Sequence, residues 1–172
     1  MTRGAILLLA GAAALYSVLW LPQYFTGLSL GSWYAVLVAM AGLTATSVVW
    51  RLGSFDRAVA TGLGVVAGLV SLFWPALELS FQHSAGGGMS VYQNTVFLAS
   101  VSLSGCALAG GVVTLGRPSL AFRLFATAAI GTVVVGLVAP SSPPSAREEL
   151  TLGLPLLIAA TAASWLAKRQ AA

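Results

Sequence analysis

The side chains best suited to chemistry lie in one short polar segment that contains Glu78, Gln82 and His83. A carboxylate at this place could gate a pore, take up a proton or bind a cation, and a histidine titrates near pH ~6.5. If a helix continues past Pro75, Glu78 and Gln82 share a face at a spacing of four. The alternative is an interfacial carboxylate beside a solvated histidine, which costs little at the end of a span. Glu78, His83 and Gln82 are therefore the candidate gate or ion and proton site.

Other kinds of chemistry find little support in the sequence. His83 is the only histidine and cannot form the usual multi-ligand zinc site, and the single Cys106 has no second thiol to pair with. The run Gly86-Gly87-Gly88 lacks the lysine and hydroxyl residue of a phosphate-binding loop. The chain has no Cys-x-x-Cys pair as in thiol-oxidising membrane enzymes, and we find no serine–histidine pair between helices as in rhomboid-type proteases. We expect no catalytic residue, no metal and no cofactor.

Six hydrophobic runs must position these residues. The length of each run is close to the ~20 residues that a helix needs to cross a bilayer. The chain has 172 residues, of which 58% are hydrophobic and 7% charged, whereas soluble domains carry roughly 25% charged residues. The sequence predicts an all-α fold: a polytopic integral membrane bundle of six transmembrane helices in three hairpins, forming one domain over 1–172. The predicted spans are Gly4–Leu21, Ser32–Trp50, Ala58–Leu77, Thr95–Leu115, Leu120–Ala139 and Leu150–Ala167.

The basic residues predict the orientation of these spans. With the N-terminus in the cytoplasm, Arg147 is the single basic residue outside, beside Glu148 and Glu149. Such a bias follows the positive-inside rule and places both termini in the cytoplasm, in the plasma or inner membrane of a cell. We attribute the net charge of +4 to this topology and expect no nucleic-acid partner, since the charges are scattered and form no basic stripe. The basic residues on the inner side are Arg3, Arg51, Arg57, Arg117, Arg123, Lys168 and Arg169.

The three hairpins resemble one another, because the first helix of each meets a proline at its outer end. Proline lacks the amide proton and crowds the preceding residue, so we expect these helices to end near Pro22, Pro75 and Pro140. A long outer loop, Leu79–Asn94, then joins the third and fourth spans. Internal duplication remains open, because leucine, valine, alanine and glycine dominate any membrane helix.

Small residues spaced by four predict close contacts between helices. Inside a bilayer the hydrophobic effect does not drive apolar side chains together. Membrane helices therefore associate where small residues let their backbones approach closely. Gly64 and Gly68 form such a row on the third span, and Cys106 and Gly110 on the fourth. These rows pack helices of this chain together, or they form a seam with another copy or another protein.

Three classes of function remain. The first is a non-enzymatic membrane subunit or scaffold, with the lipid bilayer, other membrane subunits or a second copy as its partners. The alternative is a small transporter or channel for a neutral or apolar solute, gated at Glu78 and His83, and an intramembrane enzyme is the least favoured. Hydroxyl groups separate the first two classes: a transporter brings them together near the bilayer middle, whereas in a packing subunit they bond to carbonyls of their own helices.

Overall fold

The computed structural model describes residues 29–84, 90–138 and 153–170, with side chains for 37–72, 90–138 and 153–169. The described chain consists of five helices. They are α1 (Ser29–Leu52), α2 (Phe55–Ser84), α3 (Val91–Val113), α4 (Pro118–Val138) and α5 (Leu154–Gln170). The predicted all-helical fold is confirmed for these residues, and the first predicted span, Gly4–Leu21, lies outside them.

Three of the helices are long and apolar enough to cross a membrane. The segments are Phe55–Leu72 in α2, Val91–Val113 in α3 and Pro118–Val138 in α4. In α1 the apolar part with described side chains, Leu37–Leu52, is shorter, and α5 has 17 residues and ends in a basic turn. The described part of the chain therefore contains three candidate spans where the sequence predicted six over the whole chain.

Helix α2 corrects the predicted stop at Pro75. The helix continues through Pro75 to Ser84 and is 30 residues long. Proline removes the amide that would bond to the carbonyl of Ser71, but neighbouring helices make such an interruption tolerable in a membrane helix. The predicted loop Leu79–Asn94 is correspondingly too long, because its first residues belong to α2 and its last to α3.

Local sequence signals explain where α3 and α4 begin. Ser90 caps α3: its hydroxyl accepts from the amide of Gln93 at 3.2 Å, and its own amide donates to the side chain of Gln93 at 2.9 Å. This capping box satisfies amides that the first turn leaves open, so α3 begins four residues before the predicted Thr95. Pro118 starts α4, a position that suits its fixed backbone angle and its missing amide proton.

Four of the helices form a closed ring, with α1 attached outside it. Helix α2 contacts α3 and α5, and α4 also contacts α3 and α5. Helix α1 packs on α2, from which only Gly53 and Ser54 separate it in the chain. Helix α2 therefore makes its main contacts with three helices, and 56% of its candidate span is buried, against 28% in α3 and in α4.

Small residues build most of the core between these helices. Two buried clusters combine alanines with a few larger groups, and Phe125 of α4 is the largest fully buried side chain among the described residues. Such a core fits helices that approach closely because little side-chain volume separates them. The clusters comprise Val38, Ala67, Val70, Ala107, Ala128, Leu156 and Leu157, and Ala121, Phe125 and Ala160.

Candidate functional site

Glu78, Gln82 and His83 all lie in the last two turns of α2, beyond Pro75. The helix continues past Pro75, as a shared face for Glu78 and Gln82 requires, and the two residues are four apart in it. His83 is five residues from Glu78, and this spacing places the two positions about 140° apart around the helix axis. The side chains of this segment lie outside the described ones, so the gate stays a prediction.

A second predicted group, the glycines of α2 and α3, surrounds the ring of Phe125. A Cβ atom built on Gly64 would lie 2.5 Å from Phe125 Cε1, and one built on Gly110 would lie 2.7 Å from the same atom. The Gly64 position would also lie 3.2 Å from the Cα of Gly111, which is backbone. The phenyl ring of α4 thus fills a hole between α2 and α3 that any larger residue at Gly64 or Gly110 would occupy. We call Gly64, Gly110, Gly111 and Phe125 the glycine seam.

The other two predicted packing residues lie near this seam on α2 and α3. A Cβ atom on Gly68 would lie 2.6 Å from Leu108 Cγ and 3.0 Å from the Leu108 amide nitrogen. Cys106 is half-buried and packs against the larger core cluster as a small apolar group. Gly68 and Cys106 therefore both contact helices of this same chain.

Eight hydroxyl groups of the described chain bond to carbonyls of their own helix. Ser104, fully buried on α3, donates to the carbonyl of Ser100 at 2.9 Å, and Thr161 on α5 donates to Leu157 at 2.7 Å. Such bonds satisfy a hydroxyl without a partner helix. The same pattern holds for Thr46, Ser47, Thr95, Ser102, Thr114 and Ser164.

Two hydroxyls inside α2 are exceptions. Thr61 and Ser71 are each 5% exposed, and neither hydroxyl oxygen has a hydrogen-bond partner. The oxygen of Ser71 lies 2.8 Å from the position that a Cβ on Gly153, just before α5, would take. Because Pro75 offers no amide, the carbonyl of Ser71 also lacks its usual helical donor. The contact of α2 with the start of α5 thus contains a buried hydroxyl without a hydrogen-bond partner.

At the opposite end of the ring, the helix ends that carry the basic residues meet. Arg57 Nη1 donates to the carbonyl of Leu115 at 3.1 Å and ties the start of α2 to the turn after α3. We call this end, where Arg51, Arg57, Arg117, Arg123, Lys168 and Arg169 lie, the basic end.

Sequence reasoning missed Asp56 at the basic end and Phe125 in the seam. Asp56, in the first turn of α2, is fully buried and engaged in an interaction rather than solvated. Its place in the first helical turn, where an acidic group complements the helix dipole, was the available signal. Phe125 gave no signal of this kind, since it is one aromatic residue in an apolar run.

Side-chain chemistry suited to metal binding is also sparse here. The described residues contain no group of three or more histidine, cysteine, aspartate or glutamate side chains that could hold a metal ion. Comparison with known proteins finds no matching family model, no similar curated protein and no similar solved structure.

Proposed function

We propose that the chain is a non-enzymatic multi-pass membrane protein that serves as a subunit or scaffold by packing against other membrane proteins. The proposal includes six spans in three hairpins, with both termini in the cytoplasm. One observation carries it: eight hydroxyls on the described helices bond within their own helix, and the glycine seam fills the space between α2, α3 and α4. These eight hydroxyls thereby bond inside their own helices rather than line a solute path.

The outward faces of α3 and α4 support a packing role. Only 28% of each candidate span is buried within the chain. On α3, Gly105 is exposed and a Cβ built on it would meet nothing within 4 Å, with exposed Ser102 and Ala109 on the same side. A partner helix could approach closely at this face because no bulky side chain separates it from the backbone.

Mass spectrometry of the gently solubilised native assembly tests the subunit role. We expect the chain to be recovered with other membrane proteins or with further copies of itself in a fixed stoichiometry. Recovery of a lone chain, together with solute flux after reconstitution, would contradict the proposal and favour transport.

Single cysteines in a Cys106→Ala background test the six spans. Cysteines that replace Thr2 or Ala171 should react with a membrane-impermeant maleimide only after the cells are opened. Cysteines that replace Gln23 or Ser142 should react in intact cells. Reaction of Thr2 and Gln23 from the same side would remove the first span, and reaction of Ser142 and Ala171 from the same side would remove the last.

A small transporter or channel is the second candidate, and the free hydroxyls of α2 favour it. Thr61 and Ser71 lie on the helix that also carries Glu78, so one helix holds buried unpaired groups and the predicted gate. Liposomes with the parent, Glu78→Gln or Ser71→Ala should show different proton or solute flux between pH ~5 and 8, the range in which histidine titrates. Ser102→Ala is the control, since its hydroxyl bonds back to Leu98. Equal flux in all four would exclude this candidate.

A further inference from the structure

Two cations at the basic end rest against aromatic rings on α4 and α5. Lys168 Nζ lies 5.9 Å from the centre of the Phe122 ring, and the guanidinium carbon of Arg169 lies 3.8 Å from the centre of the Trp165 ring. These distances are typical of cation–π contacts, which restrict long and flexible side chains. The rings therefore hold two positive charges beside each other at the end of α5.

A third cation, Arg123, follows Phe122 on α4 and is exposed, as are Lys168 and Arg169. Asp56 is the acid that the described chain places at this end, and it is fully buried and already engaged. The three cations, together with Phe122 and Trp165, form a positive surface without a described acid to neutralise it. We call these five residues the cation–aromatic patch.

The chemistry of the patch fits a phosphate group. A guanidinium that stacks its face on a ring keeps its N–H donors at its edge, where phosphate oxygens accept them in pairs. A lysine adds a point charge, and rings that already restrict these side chains lower the entropy lost on binding.

The surroundings of the patch indicate that the phosphate belongs to a lipid. Towards the middle of α4 and α5, the surface that faces away from the ring of helices carries the exposed apolar side chains Ile130, Val134 and Ile158. A free phosphate would gain nothing from this surface, whereas acyl chains would cover it while the headgroup met the cations. Basic pockets between membrane helices on the cytoplasmic side bind anionic headgroups in the same way.

We propose that Arg123, Lys168 and Arg169 bind the phosphate of an anionic phospholipid on the outer edge of α4 and α5, with Phe122 and Trp165 holding the cations in place. The proposal rests on the membrane insertion of α4 and α5 and is independent of the subunit role. Extraction of the chain by alkaline carbonate would refute insertion itself, so that failure can be told apart from failure of the lipid site.

Lipid binding to the purified full chain in a neutral detergent tests the site. Phosphatidylglycerol and phosphatidylcholine are added in equal series, and bound lipid is counted by native mass spectrometry while the melting temperature is recorded. We expect the parent to prefer phosphatidylglycerol. Arg123→Gln/Arg169→Gln should lower its affinity by roughly tenfold or more, because each basic side chain near an anionic headgroup contributes several-fold.

Arg51→Gln/Arg117→Gln is the matched control, since it also removes two exposed arginines from the basic end. It should keep most of the affinity. Equal losses in both double variants, or no preference of the parent for the anionic lipid, would overturn the proposal. Displacement of the lipid by millimolar inorganic phosphate would show that the surface binds free anions instead.

Trp165→Leu provides a second variant that leaves every charge in place. We expect it to weaken phosphatidylglycerol binding several-fold, because Arg169 loses the ring that restricts it. Unchanged binding would show that the aromatic rings do not contribute to the site.

Discussion

The two sides of helix α3 are built from the same small residues but meet different surroundings. Towards the ring, Ser104, Ala107 and Gly110 are buried against α2 and α4. On the outside, Ser102, Gly105 and Ala109 are exposed, although they are just as small. Size and spacing therefore do not tell which face of a membrane helix is used within the chain, and the deciding feature is a side chain that fills the groove. On the inner side Phe125 fills it, and on the outer side no described residue does.

Phe125→Ala should lower the stability of the inner helix packing more than any other variant proposed here. Removing a fully buried aromatic ring costs ~3–5 kcal/mol, because the hole between Gly64 and Gly110 would stay largely empty. Thermal unfolding in detergent, followed by size-exclusion chromatography, measures the loss. The control is Leu137→Ala on the same helix, where the side chain is 74% exposed and we expect little change. Similar losses in both variants would show that the ring is not the centre of the packing.

Gly64→Leu and Gly68→Leu should rank next, because both positions are already filled. At Gly64 a side chain would meet a buried ring and the backbone of Gly111, and at Gly68 it would meet Leu108. Overpacking of this kind costs ~1–3 kcal/mol, or more where backbone must move. We expect Gly64→Leu to be the more severe of the two in melting temperature. Parent-like melting of both would mean that these glycines do not lie at a close helix contact.

Ser71→Ala should have a smaller effect of the opposite sign. The hydroxyl is buried and unpaired, and replacing such a group by an apolar one stabilises a protein by up to ~1 kcal/mol. Ser104→Ala is the control, because its hydroxyl bonds to Ser100 and its loss should lower stability slightly. A clear destabilisation by Ser71→Ala would instead indicate that a water molecule or a solute occupies this place, as the transport candidate requires.

Gly105→Leu should change the stability of the isolated chain least. The position is open, and leucine suits a helix better than glycine by somewhat less than ~1 kcal/mol. The melting temperature should be unchanged or slightly raised. In the native assembly the same variant should release the partner if that partner packs on α3, which chromatography of the solubilised complex would detect. A strong loss of stability in the isolated chain would show that the outer face is already covered.

The sequence predicted the helices better than their contacts. Hydrophobic runs identify a membrane helix well, because the bilayer demands a long apolar stretch. The end of such a helix is less certain: Pro75 reads as a stop, yet α2 continues past it to Ser84. Ser90 and Gln93 shift the start of α3 by a local hydrogen-bond pattern that a count of apolar residues does not include.

For the candidate sites, the rows of small residues pointed to Gly64, Gly68 and Gly110, but not to what fills them. Phe125 stands 61 residues after Gly64 in the chain, and only the ring of helices brings the two together. The contact within the cation–aromatic patch is not predictable for the same reason, because Phe122 lies in the fifth predicted span and Lys168 follows the sixth.

The ring of helices also sets an order in which the chain can assemble. Only Gly53 and Ser54 join α1 to α2, and a short turn joins α3 to α4, so these contacts can form as soon as both helices have been synthesised. The contact between α2 and α5 joins distant parts of the chain and must wait until α5 has been synthesised. Until then the hydroxyl of Ser71 lacks its contact with Gly153, just before α5. We therefore expect a chain truncated before α5 to lack the contacts that close the ring and to be cleaved by proteases more readily than the full chain.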